Sequence, residues 1–257
     1  MDFFEIIIYL AIGFGAAIIG ALIGVGGGFL MVPIFIFMGF SKDYAPVISI
    51  FVIIFTALSA TIRYVHNKSI NYRLGLIYSP FTIIGAFLGA YLLHVVDNLI
   101  FKIIFSGLVL YAGIRLLLQK GEPQDESSEN AAVQRKSYYW VILWGFLTGL
   151  SASFLGIGGG LIAVPVFSLF FLEKMHIAIA TSLFVMIFTA SFSTLQNYML
   201  GYFDLPLLYI GLIVALGAII GAQIGSSVQT RLKGRNLQIL FGVFMMAIAL
   251  PLLWLGP

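Results

Sequence analysis

The residues best placed to bind something in this chain are glycines. Gly26, Gly27 and Gly28 stand together in GVGGGFLMVP (Gly24 to Pro33). Gly158, Gly159 and Gly160 stand together in GIGGGLIAVP (Gly156 to Pro165), 132 residues later. Glycine costs about 1 kcal/mol and proline about 3 relative to alanine in a helix interior, so each run breaks a helix. A helix that restarts there offers backbone N–H groups without partners and about half a positive charge, an arrangement that suits an anion. Glycine also lets a ligand approach the backbone closely. One such run alone reads equally as a device for tight helix packing. Two in register, each with a proline five residues on, favour a site where two halves of a membrane chain meet. A nucleotide loop is excluded, because no Lys-Ser/Thr follows the glycines and no strand precedes them.

Hydroxyls form the second candidate set. Ser49 to Ala57 (SIFVIIFTA) matches Ser182 to Ala190 (SLFVMIFTA) at seven of nine positions. On a helix Ser49, Thr56 and Ser59 share a face, and Ser182, Thr189 and Ser193 do so nearly as well. Such hydroxyls donate to an oxyanion without adding a fixed charge. Their alternative role is glue between helices, or bonding back to the carbonyl one turn earlier. Arg63 and Tyr64 close the first of these helices, aligned with Gln196 and Asn197 in the second. Arginine captures oxyanions with two parallel bonds, so Arg63, Gln196 and Asn197 are read as gate residues. A snorkelling anchor is the competing reading for Arg63.

What is missing narrows the chemistry. Asp2, Glu5, Asp43, Asp97, Glu173 and Asp204 all fall near the ends of apolar runs. A cation pathway or proton relay would usually want a carboxylate deep inside a span. Metal ligands, a Ser/His/Asp set and paired catalytic carboxylates do not cluster. The sequence therefore predicts no enzyme, no metal and no cofactor.

These residues must be positioned by elements that live in a bilayer. The 257 residues are 61% hydrophobic and 9% charged, with a mean hydropathy of +1.09; soluble domains carry roughly 25% charged residues. Apolar runs cover 4–23, 28–40, 44–65, 74–96, 99–118, 138–155, 159–172, 176–199, 205–229 and 236–255. The stretch 119–137 is hydrophilic and reads as a linker. Residues 1–118 and 138–257 thus form two transmembrane repeats of five segments each, further marked by Gly85/Gly89 against Gly217/Gly221.

Charge decides whether the chain reverses at the glycines, since Lys and Arg accumulate in cytoplasmic loops. If each glycine run lay within one crossing, the basic residues would divide seven to six. If the chain turns back there, Lys42 and Lys102 stand on one side and the other eleven on the opposite side. We therefore expect reversal, inverted repeats, a cytoplasmic linker and both termini outside.

With its duplicated GxGGG(F/L)xxVP run, the Ser/Thr-rich helix after it, the NKSIN and LGYFD turns and the GAxxGA helix, the chain resembles the sulfite exporter TauE/SafE family of membrane permeases. The resemblance covers all but the linker. It implies an all-α polytopic protein of the cell membrane that transports small anions, often sulfur oxyanions or organosulfonates such as sulfite or sulfoacetate. The expected mechanism is alternating access around a site between the two breaks, with Ser49, Thr56, Ser182 and Thr189 completing the cage. The alternatives are a passive anion channel and a membrane accessory subunit that transports nothing. Expected partners are the anion and the lipid bilayer; the glycine stripes allow a homodimer without demanding one, and no nucleic acid is expected.

Overall fold

The computed structural model describes residues 3–41, 43–95 and 138–254, with 107, 110, 111, 113–115, 117 and 118 between them. The linker 119–137, both chain ends and most of the fifth apolar run, 99–118 with Lys102, lie outside the described residues. In chain order the helices are α1 (Phe3–Ile23), α2 (Gly28–Phe37), α3 (Tyr44–His66), α4 (Tyr72–Val95) and α5 (Tyr138–Leu155). They continue as α6 (Gly160–Pro165), α7 (Met175–Met199), α8 (Leu205–Gln229) and α9 (Gly234–Trp254). The protein is an all-α polytopic membrane protein. Among the described residues α1, α3, α4, α7 and α8 each contain a stretch long and apolar enough to span a bilayer.

The chain turns back at each glycine run. Gly20 O accepts from both Val25 and Gly26 N, at 2.9 and 3.1 Å, which closes α1. Gly27 then lies against the Ala16 carbonyl, a full turn and more back along α1. By Phe40 the chain has reached Tyr9, with ring centroids 6.5 Å apart. The second half repeats this. Gly159 lies against Thr148, and Phe170 reaches Trp144, with centroids 4.9 Å apart. At 1.5 Å per residue the ten residues of α2 extend about 15 Å, half of a ~30 Å hydrocarbon core. Each broken pair is therefore a longer helix followed by a short one that turns back along it.

The two short helices end differently. Pro33 lies within α2, which continues to Phe37. Pro165 ends α6, and the backbone widens into a π turn over Val166–Phe170, closed by Phe171 N to Val166 O at 3.2 Å. The turns after α3 and α7 match: each has a left-handed residue, Lys68 (φ 52°) and Gly201 (φ 80°). Asn71 and Asp204 then start α4 and α8 by accepting from the N–H groups of Leu74 and Leu207, both at 3.0 Å.

Packing crosses between the halves. The first helix of each half lies against the fourth helix of the other: α1 on α8, and α5 on α4. Glycines make both approaches possible. A side-chain carbon on Gly217, Gly221 or Gly225 would strike the carbonyl of Leu10, Phe14 or Ile18; on Gly85, Gly89 or Gly149 it would strike that of Phe146, Leu150 or Thr82. Small residues at this spacing let membrane helices touch backbone to backbone, where dispersion drives association. The stripes read as allowing a dimer are thus occupied within the chain. At the centre stand α3 and α7, which pack on each other and on the two short helices.

Candidate functional site

Each short helix begins on a glycine that no other residue replaces easily. Gly27 has φ +89° and ψ −8°, Gly159 φ +84° and ψ −9°, a left-handed conformation costing an L-residue roughly 1–2 kcal/mol. Their carbonyls accept the first bonds of the new helices: from Leu30 and Met31 N, and from Ile162 and Ala163 N, all at 3.0–3.2 Å. The N–H groups of Gly28, Phe29, Gly160 and Leu161 precede those bonds and project from the helix starts. Each start also touches the glycine turn of the other half. A Cβ on Gly28 would lie 2.5 Å from Gly156 O, and one on Gly160 would strike Gly24 O. Two partly positive helix ends therefore converge at the middle of the molecule.

The serines of the repeated run join these breaks reciprocally. Ser49 Oγ donates to Gly156 O at 2.7 Å, and Ser182 Oγ donates to Gly24 O at 3.0 Å. Each hydroxyl of one half closes the turn of the other. Thr56 Oγ1 bonds back to Val52 O at 3.4 Å. Thr189 Oγ1 lies 3.2 Å from Val185 O and 2.8 Å from Thr82 Oγ1. All four hydroxyl residues are buried. Seven residues separate each serine from its threonine, so the threonines lie about 10 Å farther along α3 and α7.

Two side chains that sequence reasoning passed over fill the space between the breaks. A Cβ on Gly26 would meet Met186 Cε at 2.6 Å and Ile53 Cγ2 at 3.1 Å. On Gly158 it would strike the same methionine methyl and lie 3.1 Å from Ile53 Cδ1. Ile53 and Met186 occupy matching places, four residues after Ser49 and Ser182, on the same helix face as those serines. That spacing was the signal that could have found them. The two side chains together form an apolar plug between the breaks.

The gate residues lie elsewhere. Arg63 is fourteen residues beyond Ser49, about 21 Å along α3. Its Nε donates to Ser227 Oγ at 3.1 Å, and its Nη2 reaches the same oxygen. Ser227 in turn donates to Gln223 O at 2.6 Å, and Gln223 Nε2 donates to Ser59 O at 2.6 Å. In the other half Gln196 Nε2 donates to Phe87 O at 2.8 Å, and Asn197 Nδ2 to Ser193 O at 2.9 Å. The structure thus groups the six glycines with Ser49 and Ser182, and sets Arg63, Gln196 and Asn197 apart. Among the described residues no three His, Asp or Glu side chains come together to hold a metal.

The chain resembles known proteins over most of its length. The family model described as sulfite exporter TauE/SafE matches residues 9–252. The chain is 26% identical over 271 residues to the probable membrane transporter protein YunE of Bacillus subtilis, covering 97% of this chain and 98% of that one. It is 27% identical over 262 residues to a probable membrane transporter protein of Methanocaldococcus jannaschii, covering 92% and 94%. A TauE/SafE family protein of Arabidopsis thaliana is 31% identical over 156 residues, which are 57% of this chain and 30% of that one. No solved structure gives a match.

Proposed function

The chain belongs to the sulfite exporter TauE/SafE family and is a membrane transporter, not an enzyme, and from that premise we propose that it carries a small anion between its two glycine breaks. The observation that carries this reading is the convergence of two half-helix starts, each a left-handed glycine followed by N–H groups that precede the first helical bonds, with no Asp or Glu among the described buried residues. Small sulfur oxyanions or organosulfonates, sulfite and sulfoacetate among them, fit such a site because their oxygens accept from several donors at once.

The mechanism is alternating access. The two halves are related by inversion, and one half rocks against the other around a fixed site. Ile53 and Met186 withdraw to admit the anion. Ser49 and Ser182 turn their protons from the glycine carbonyls to the anion's oxygens, and Thr56 and Thr189 lie on the path beyond. Arg63 in one half and Gln196 in the other stand at the far ends of α3 and α7 as gates. The distribution of Lys and Arg supports a cytoplasmic linker with both termini outside, in the plasma membrane.

Proteoliposome counterflow with labelled sulfite, thiosulfate, sulfoacetate, taurine and carboxylates tests the proposal. The expected result is saturable exchange of one or more anions at ~10³ per second or below, the pace of a conformational cycle. Gly27→Leu and Gly159→Leu should each abolish it. Response only to cations or zwitterions would overturn the anion site. Flux without counterflow would favour the channel, and none at all the accessory subunit.

A further inference from the structure

The two halves are built alike but not equally polar. Between α4, α5 and α7 lies a seam of five buried polar residues: Thr82, Ser153, Thr189, Ser193 and Asn197, each no more than 1% exposed. The matching positions in the other bundle are Val214, Ala21, Thr56, Ala60 and Tyr64. There Tyr64 fills the space and donates its phenol to Ala21 O at 2.8 Å. At these positions the same helix pairing forms with two hydroxyls in place of five polar side chains, so it does not demand all five.

Following the protons shows what the seam lacks. Ser193 Oγ donates to Thr189 O at 2.9 Å, which makes Ser153 the donor in its 2.5 Å contact with Ser193 Oγ. Thr82 Oγ1 donates to Ser79 O at 2.8 Å, so Thr189 donates to Thr82 Oγ1. Every hydroxyl proton is committed to a protein acceptor. Asn197 Nδ2 donates to the Ser193 carbonyl; a carbonyl only accepts, so the amide cannot be flipped. Asn197 Oδ1 is therefore a fixed, buried acceptor, and it has no partner. Lone pairs are in excess here, the reverse of the N–H groups at the glycine breaks. An orphaned acceptor of this kind suits a positive charge.

We propose that this seam is a binding site for a small monovalent alkali cation, with Asn197 Oδ1 and the hydroxyls of Ser153 and Ser193 as its ligands. Hard cations take neutral and anionic oxygens. None of α4, α5 and α7 contains an Asp or Glu, so nothing there offsets a divalent charge, and a single charge on neutral oxygens is the chemistry that fits. Transporters elsewhere hold coupling ions on neutral oxygens too, there on the carbonyls of broken helices.

The test is made on the purified protein without any anion substrate, so it stands or fails apart from the proposed cargo. Labelled Na⁺ binding and thermal unfolding are measured in NaCl, KCl and choline chloride at equal ionic strength. Saturable binding is expected, with unfolding raised about 5–10 °C by alkali cation at a hundredfold excess over Kd. Asn197→Leu should weaken binding at least tenfold, as should Ser153→Ala with Ser193→Ala, which installs the alanines of the other half. In choline the double variant should unfold within a few degrees of the wild type. Equal unfolding in all three salts with no saturable binding would overturn the proposal and leave the seam as helix glue or a buried water site. Binding that survives both variants would overturn the assignment of these ligands.

Discussion

Met186 and Ile53 share one place between the breaks but differ in what they can do next. Isoleucine is branched at Cβ and stiff, whereas methionine is unbranched and adapts to irregular gaps. Met186 is therefore the side chain that moves. Met186→Ile should preserve the fold, since volume-conserving core changes cost under about 1.5 kcal/mol. Counterflow should nonetheless slow about tenfold, corresponding to ~1.4 kcal/mol of added barrier. Met186→Ala should cost about 2–5 kcal/mol of stability by leaving a cavity and should admit bulkier anions, measured as a widened range of counterflow substrates. Unchanged rates in both variants would show that the plug is passive. The glycines and serines of this site were legible in sequence because the chain writes them twice. The plug was not, because an isoleucine and a methionine among apolar residues carry no mark. The reciprocity of the two serine bonds was hidden too, since each hydroxyl reads as local until the partner half is in place.

At the scale of the helix, the small-residue stripes on α4 and α8 announced close packing, and close packing is what they do. Which helix each would meet was not readable, because glycine spacing specifies a distance and not a partner. Gly217→Leu should press a side chain into the Leu10 carbonyl and separate α8 from α1, seen as loss of monodisperse protein in size-exclusion chromatography. Gly15 lies in the same α1 with open space where its Cβ would be. Gly15→Ala should fold normally and gain up to about 1 kcal/mol from helix propensity. Similar damage from both would mean that glycine content as such, rather than contact, governs assembly. The apolar run 99–118 lies mostly outside the described residues; the other nine of the ten also match described helices closely, apart from the short second helix of each half. Their trimmed ends follow from Pro165 and from the turn at Gly39 (φ +94°), local geometry that hydropathy does not record.

At the scale of the molecule, neither half is self-contained. Because α1 packs on α8 and α5 on α4, residues 1–118 produced alone would present bare glycine faces, as would 138–257. Expressed together as two chains, they should assemble and co-purify, with transport retained in proteoliposomes. Expressed singly, each should aggregate or be degraded. Independent folding of either half would contradict the exchange of partners seen here. The duplication was plain in the sequence; this crossing of partners was not, since it depends on contacts more than a hundred residues apart.

The paired bonds from Ser49 to Gly156 and from Ser182 to Gly24 bear on how such a duplicated gene can change. A substitution in one copy is judged at once by the other copy, because each break is finished by a hydroxyl from across the interface. Segments under that mutual check have little freedom to drift apart, while segments that face lipid or the linker have a good deal. The serine run keeps to that check: its two copies still agree at seven of nine positions. The interface that holds the halves together is also what has kept them alike.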